Sequence, residues 1–168
     1  MKYESHAAPR LNYKNAAPEG VQALGGLSGY AAKNVPAKLR ALVELRVSQI
    51  NGCAYCINLH AEEARAAGEA QQRLDVLSIW NETTFFSDSE RAALAWAEEV
   101  TLLGENAASD ELYEEMLEHF SEKELVDLTL VIVAMNAWNR LSITFRNRVP
   151  LRKAKPQAPE TTPPAPQN

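Results

Sequence analysis

The stretch Asn51-Gly52-Cys53-Ala54-Tyr55-Cys56-Ile57-Asn58-Leu59-His60 decides between two architectures. Cysteines three residues apart occur at the head of a helix in a thioredoxin-like βαβ unit, or within an all-helical frame. The flanks settle the choice. Upstream, Leu39, Leu42, Val43, Val47 and Ile50 recur at helical spacing. Pro36 suits the first turn of that helix, and Asn51-Gly52 breaks it. Downstream, a helical segment is predicted from Cys53 to Ala67, with Gly68 in the capping position. Strand signals are almost absent, so no βαβ pattern surrounds the cysteines. The fold class read from the sequence is all-α.

The same punctuation runs through the rest of the chain. Pro18 opens a predicted helix towards Ala32, although Gly25, Gly26 and Gly29 weaken it. A short helix covers about Ala70 to Trp80. Ser87-Asp88-Ser89-Glu90 reads as a capping box for a helix to Leu103, ended by Gly104. Asp110 starts another short helix. Ser121-Glu122-Lys123-Glu124 is a second capping box, ahead of a long helix to about Arg146. Its middle, Leu125 to Trp138, is apolar nearly all round, which predicts burial on more than one side and a subunit interface. Six of the nine prolines fall at 150, 156, 159, 163, 164 and 166. The organisation read from this is an N-terminal arm (1–17), a helical domain (18–148) and a disordered Pro-rich tail (149–168).

Composition excludes several functions. With 168 residues, 46% of them hydrophobic, the chain can bury one core. A formal net charge of -5 argues against a nucleic-acid groove, which needs a basic patch. The N-terminus has no continuous apolar run of the secretory kind. The most apolar stretch, Leu128 to Ala134, is too short to span a membrane. The expected location is cytoplasmic, where a cysteine pair is catalytic or metal-binding more often than a structural staple.

The thiolate attacks peroxides and disulfides, the thiol does not. A helix N-terminus favours the thiolate of a cysteine placed there. His60, four residues after Cys56, is positioned to take its proton. A cycle follows from this chemistry. Cys56 attacks a hydroperoxide oxygen and becomes a sulfenic acid; Cys53 condenses with it, releasing water and leaving a disulfide. An external dithiol restores the pair. Two plainer readings compete. The cysteines could be ordinary core thiols, or part of a zinc site, which usually needs four ligands where this motif offers three. His6 and His119 lie in other segments and form no second half-site. No metal and no cofactor are predicted.

The stretch Glu44-Leu45-Arg46-Val47-Ser48-Gln49-Ile50-Asn51-Gly52-Cys53-Ala54-Tyr55-Cys56-Ile57, followed by His60, resembles the alkylhydroperoxidase AhpD-like, carboxymuconolactone decarboxylase superfamily. Asp88 to Glu98 and Asn136 to Leu141 carry weaker parts of the likeness, which spans roughly Pro36 to Arg148. The resemblance implies an all-α fold, a trimeric or hexameric homo-oligomer, and a peroxidase that reduces hydroperoxides. It also implies that Cys56 is peroxidatic, Cys53 resolving and His60 part of a proton relay, with reduction through a lipoylated protein. Two positions depart from the fullest motif. Tyr55 stands where a histidine precedes the second cysteine, and Ala41 stands where a glutamate lies twelve residues before the first. Glu44, one helical turn after Ala41, is either the replacement carboxylate or a solvent-facing partner of an arginine. Within the family a lactone decarboxylase is the alternative enzyme, and its chemistry does not need paired thiols. A non-enzymatic redox sensor is the alternative of another class.

Among the other residues, Trp80, Trp96 and Trp138 read as core or interface anchors. Phe85, Phe86 and Trp80 are candidates for an apolar pocket, with core packing the plainer role. Asn139 and Arg140 are expected to pair near a subunit contact, since apolar neighbours disfavour a surface place for Arg140. His119 is assigned no chemistry.

Overall fold

The computed structural model describes residues 8–104 and 108–150. His6 and the tail from residue 151 lie outside the described residues, so the expected disorder of that tail does too. Every regular element among the described residues is helical: α1 (Tyr13–Ala16), α2 (Pro18–Asn34), α3 (Ala37–Ile50), α4 (Ala54–Ala66), α5 (Gln71–Val76), α6 (Asp88–Thr101), α7 (Asp110–His119) and α8 (Glu122–Thr144). A 3-10 segment, Leu77–Glu82, follows α5.

α3 is the central helix, packed by α4, α6 and α8. Its Leu42, Val43 and Val47 are fully buried, so truncating Leu42 to alanine should cost about 2–5 kcal/mol. Two apolar clusters meet along it. Val43, Val47, Trp96, Met116, Leu128 and Ile132 belong to one. Leu42, Leu45, Leu74, Leu77, Phe86 and Leu94 belong to the other.

Both predicted capping boxes are present. Ser87 and Glu90 cap α6, and Ser121 and Glu124 cap α8, each pair satisfying two otherwise unpaired N–H groups. The boundaries differ in physical detail. Pro36 is the N-cap of α3, with ψ 134°, and not a residue of its first turn. Cys53 is likewise the N-cap of α4. The segment predicted as one helix from Ala70 breaks at Ile79, whose φ of -129° is not helical. α6 stops at Thr101, two residues early, and α8 stops at Thr144; Arg146 beyond it has a φ of 58°.

The N-terminal arm holds a turn of helix that periodicity did not indicate. Asn12 Oδ1 accepts from the N–H groups of Lys14 and Asn15, the capping role asparagine favours. Arg10 donates its backbone N–H to the Phe145 carbonyl at 3.1 Å. Asn147 Nδ2 donates to the Tyr13 hydroxyl at 3.1 Å, and the Tyr13 and Phe145 rings lie 5.6 Å apart. The arm is thereby fastened across the end of α8.

The apolar middle of α8 is buried along Leu128, Val131, Ile132 and Met135, but Val126 and Val133 on its other side are 57% and 46% exposed in the single chain. Arg140 is exposed as well and donates to the Asn136 carbonyl and side-chain oxygen. The expectation that its apolar neighbours would cover it is corrected: Trp138 and Leu141, two before and one after it, face other directions around the helix. No helix among the described residues is long and apolar enough to cross a membrane.

Candidate functional site

Gly52 turns the chain between α3 and α4 with φ +67°, a conformation most side chains disfavour. The turn sets Cys53 at the N-cap of α4, where its Sγ accepts the Cys56 backbone N–H at 3.3 Å. Cys53 and Cys56 are joined as a disulfide, with Cα atoms 5.3 Å apart. Both are almost wholly buried. They differ in what they face. Cys56 borders a cavity of about 290 Å³, and Cys53 is not among its lining residues.

His60 and Glu44 border the same cavity. The His60 Nδ1 lies 2.8 Å from a Glu63 carboxylate oxygen and 3.5 Å from one of Glu44. With Nδ1 engaged by carboxylate, Nε2 is the ring nitrogen left for proton exchange. Arg40 donates to both Glu44 oxygens, at 3.1 and 3.3 Å. Glu44 is not solvent-facing, its side chain being 13% exposed; it is an arginine's partner and a neighbour of His60 at once. Burial pushes its carboxyl above the ordinary range, against the pull of His60 and Arg40. The bond from His60 holds the Glu63 carboxyl below its ordinary range.

A chain of polar contacts fixes the backbone under Glu44. Ser48 Oγ donates to the Glu44 carbonyl at 2.7 Å. Asn139 Nδ2 donates to Ser48 Oγ at 3.2 Å, and Asn51 Nδ2 donates to Asn139 Oδ1 at 2.9 Å. Asn139 is thus fully buried inside one chain, bonded across α3 and α8. No other chain is needed to explain its bonds.

The apolar wall of the cavity comes from Val131, Met135 and Trp138 of α8, with Tyr55 and Leu59 of α4. Trp138 Nε1 donates to Ser28 Oγ at 2.8 Å, which orients the ring. Phe85, Phe86 and Trp80 are not part of it. Phe86 is buried beneath the Arg73 guanidinium, 4.7 Å from it, Phe85 is 40% exposed, and Trp80 Nε1 donates to Glu98 at 2.6 Å. His119 ends α7 and does not line the cavity.

The structure therefore gathers Cys56, His60 and Glu44 at one cavity, with Cys53 bonded behind. Sequence reasoning missed Glu63, although its place three residues after His60 on one helix was a signal. It also missed Tyr13 and Lys14, which line the cavity from the arm. Glu44, His60 and Glu63 present ligand atoms within 4.8 Å of one another and could hold a cation. The Arg40 guanidinium and the imidazole already give both carboxylates partners, so the donor set is accounted for without an ion.

The sequence model of the carboxymuconolactone decarboxylase family matches residues 16–99. The uncharacterized protein YdfG of Bacillus subtilis (strain 168) is 42% identical over 140 residues, 83% of this chain and 95% of YdfG. A solved structure from Agrobacterium tumefaciens, of a protein of unknown function proposed to be the antioxidant defence protein AhpD, superposes with a TM-score of 0.83 at 36% identity. The match covers 86% of this chain and all of that one. The debrominase Bmp8, solved with 2,3,4-tribromopyrrole, matches with a TM-score of 0.72 over 81% of this chain and 73% of its own. At 20% identity that likeness is one of fold.

Proposed function

We propose that this chain, which belongs to the carboxymuconolactone decarboxylase family, is a thiol-dependent peroxidase that reduces hydroperoxides through Cys53 and Cys56. The observation that carries the reading is the placement of Cys56, and not Cys53, on a cavity that also holds His60 and Glu44. A decarboxylase reading leaves the paired thiols without a use.

In the reduced protein, His60 takes the Cys56 proton and the α4 N-terminus favours the thiolate. The thiolate attacks the hydroperoxide: an S–O bond forms, the O–O bond breaks, and the alkoxide leaves as alcohol after protonation. That proton is the one His60 took from Cys56; Glu44, whose carboxyl is raised, lies 3.5 Å from the imidazole and is placed to exchange protons at the cavity between turnovers. Cys53 then attacks the Cys56 sulfenic acid, an S–S bond forms and water departs. An external dithiol returns two electrons and two protons. Its placement on a lipoylated protein belongs to this proposal, as does assembly into a homo-oligomer, a trimer or hexamer, for which the exposed Val126 and Val133 of α8 supply apolar surface.

The near-complete burial of both sulfurs supports a second reading, a redox sensor oxidised once and read by a partner. Turnover separates the two. Full-length reduced protein is given cumene hydroperoxide and excess dihydrolipoamide. Many equivalents consumed per chain, and none by Cys56→Ser, support the peroxidase. Consumption that halts at one equivalent refutes it in favour of the sensor.

A further inference from the structure

Lys14 borders two cavities at once. The first is the 290 Å³ cavity of Cys56, His60 and Glu44. The second, of about 330 Å³, lies against the N-terminal arm and is lined by Lys14, Tyr13, Tyr55, Asn12, Asn147 and Arg148 among others. The two adjoin, sharing Tyr13, Lys14 and Tyr55 as lining residues.

Their charges differ. In the inner cavity, Arg40 is paired with Glu44, and His60 with Glu63. The remainder of that lining is largely apolar, led by Val131, Met135 and Trp138. The outer cavity has two cations, Lys14 and Arg148, and no acidic residue among the described residues that line it. Neither cation makes an ion pair or side-chain hydrogen bond among the described residues. This occurs in a chain whose overall charge is -5, where a lysine and an arginine lining one hollow with no counter-charge among the described residues are set against the background. This shared edge is also held in place. Tyr13 is buried and tied to Asn147 and Phe145, and Asn12 caps the turn that carries Lys14.

We infer that the site takes an amphipathic anion: a compact apolar or aromatic hydroperoxide that carries a carboxylate. Its apolar body lies against Trp138 and Met135, with the peroxide at Cys56. Its carboxylate reaches past Tyr13 to Lys14 and Arg148. Reduction leaves the carboxylate unchanged; the products are the hydroxy acid, water and the Cys53–Cys56 disulfide. The inference rests on the thiol-peroxidase reading for its chemistry, but on the cavity alone for its binding.

The test uses cumene hydroperoxide bearing a para-carboxylate, its methyl ester, and the unreactive pair 4-isopropylbenzoate and methyl 4-isopropylbenzoate. With full-length protein and excess dihydrolipoamide, the acid hydroperoxide should exceed its ester at least tenfold in kcat/KM, mainly through KM. In the double variant Lys14→Glu, Arg148→Glu that ratio should fall to one or below, and Lys14→Arg should retain it. Equal turnover of acid and ester by the wild type overturns the inference, as does a ratio that survives the double charge reversal. If no hydroperoxide is turned over at all, the peroxidase reading fails separately. Calorimetry with the two isopropylbenzoates then decides the site: binding of the acid but not the ester, lost on charge reversal, upholds it, and equal or absent binding ends it.

Discussion

Two carboxylates in this fold are largely shielded from solvent, and their surroundings have opposite effects. Asp127, on the first turns of α8, has a side chain 2% exposed. It accepts from the Tyr30 hydroxyl at 2.8 Å and from Lys123 Nζ at 2.5 Å, one bond to each oxygen. The Lys123 bond, helped by Tyr30, holds its carboxyl below the ordinary range despite burial. Glu44 has an arginine on both oxygens and an imidazole 3.5 Å away, yet burial wins and its carboxyl is raised. The contrast is one of satisfaction against poise. Asp127 is locked in the ionised form and staples α2 to α8. Glu44 has its neutral form favoured by burial, on a cavity it shares with His60 and Cys56. A carboxyl raised by burial at the edge of a cavity is suited to proton transfer.

The largest test of this contrast is at the thiol. Cys56→Ser should lower peroxide turnover more than about 1,000-fold, while Asp127→Asn should leave turnover within about twofold, since it touches no part of the cavity. A comparable loss in Asp127→Asn would erase the distinction between the two carboxylates. Next is Glu44→Gln, for which kcat should drop by about 100-fold if the carboxyl exchanges protons at the cavity. Its thermal midpoint should hold or rise, because a costly buried carboxyl has been removed; the midpoint of Asp127→Asn should fall. Glu63→Gln should have a smaller effect, up to about fivefold in kcat/KM, as its ion pair is half open to solvent. A loss as large as that of Glu44→Gln would transfer the proton-exchange role to Glu63.

The most subtle effect is the pH dependence of stability. The folded state favours ionised Asp127, so its contribution is complete above the ordinary value of 3.8 and fades as pH falls through the lower folded value. Glu44 has the reverse sign. The folded state favours its neutral form, so its contribution is present below the ordinary value of 4.5 and is lost as pH rises through the raised folded value. Urea midpoints read across pH 3 to 8 should therefore show the wild type losing ground to Glu44→Gln as pH rises. Against Asp127→Asn it should lose ground as pH falls. Parallel curves for either variant would remove the basis of the comparison.

The sequence made the local determinants visible. Ser87 and Ser121 announced their helices because a capping box is contained within four residues. Cys56 and His60 could be read together because i and i+4 share a helix face, and Glu44 was reachable by counting turns along α3. What remained hidden depends on distant contacts. Tyr13 is fixed by Asn147, 134 residues away, and nothing near it announces a cavity wall. Trp138 and Met135 could not be told from other core residues, because α8 is apolar around most of its surface. Asn139 lacked a visible partner because Ser48 and Asn51 reach it from another helix and a turn. The start of α4 was misplaced by one residue because a sulfur performs the cap, where a hydroxyl or amide oxygen is the usual signal.

That sulfur bears on how substitutions at position 53 are interpreted. Because Cys53 Sγ receives the Cys56 N–H, alanine there takes away a thiol and an acceptor together. The uncapped helix would cost about 1 kcal/mol, next to the very residue whose reactivity is being measured. Serine takes away the thiol and leaves an oxygen for the same N–H. A mixed disulfide between oxidised Cys56 and a monothiol, which has no second thiol to release it, should thus form on an undistorted helix in Cys53→Ser, whereas Cys53→Ala would report two losses as though they were one.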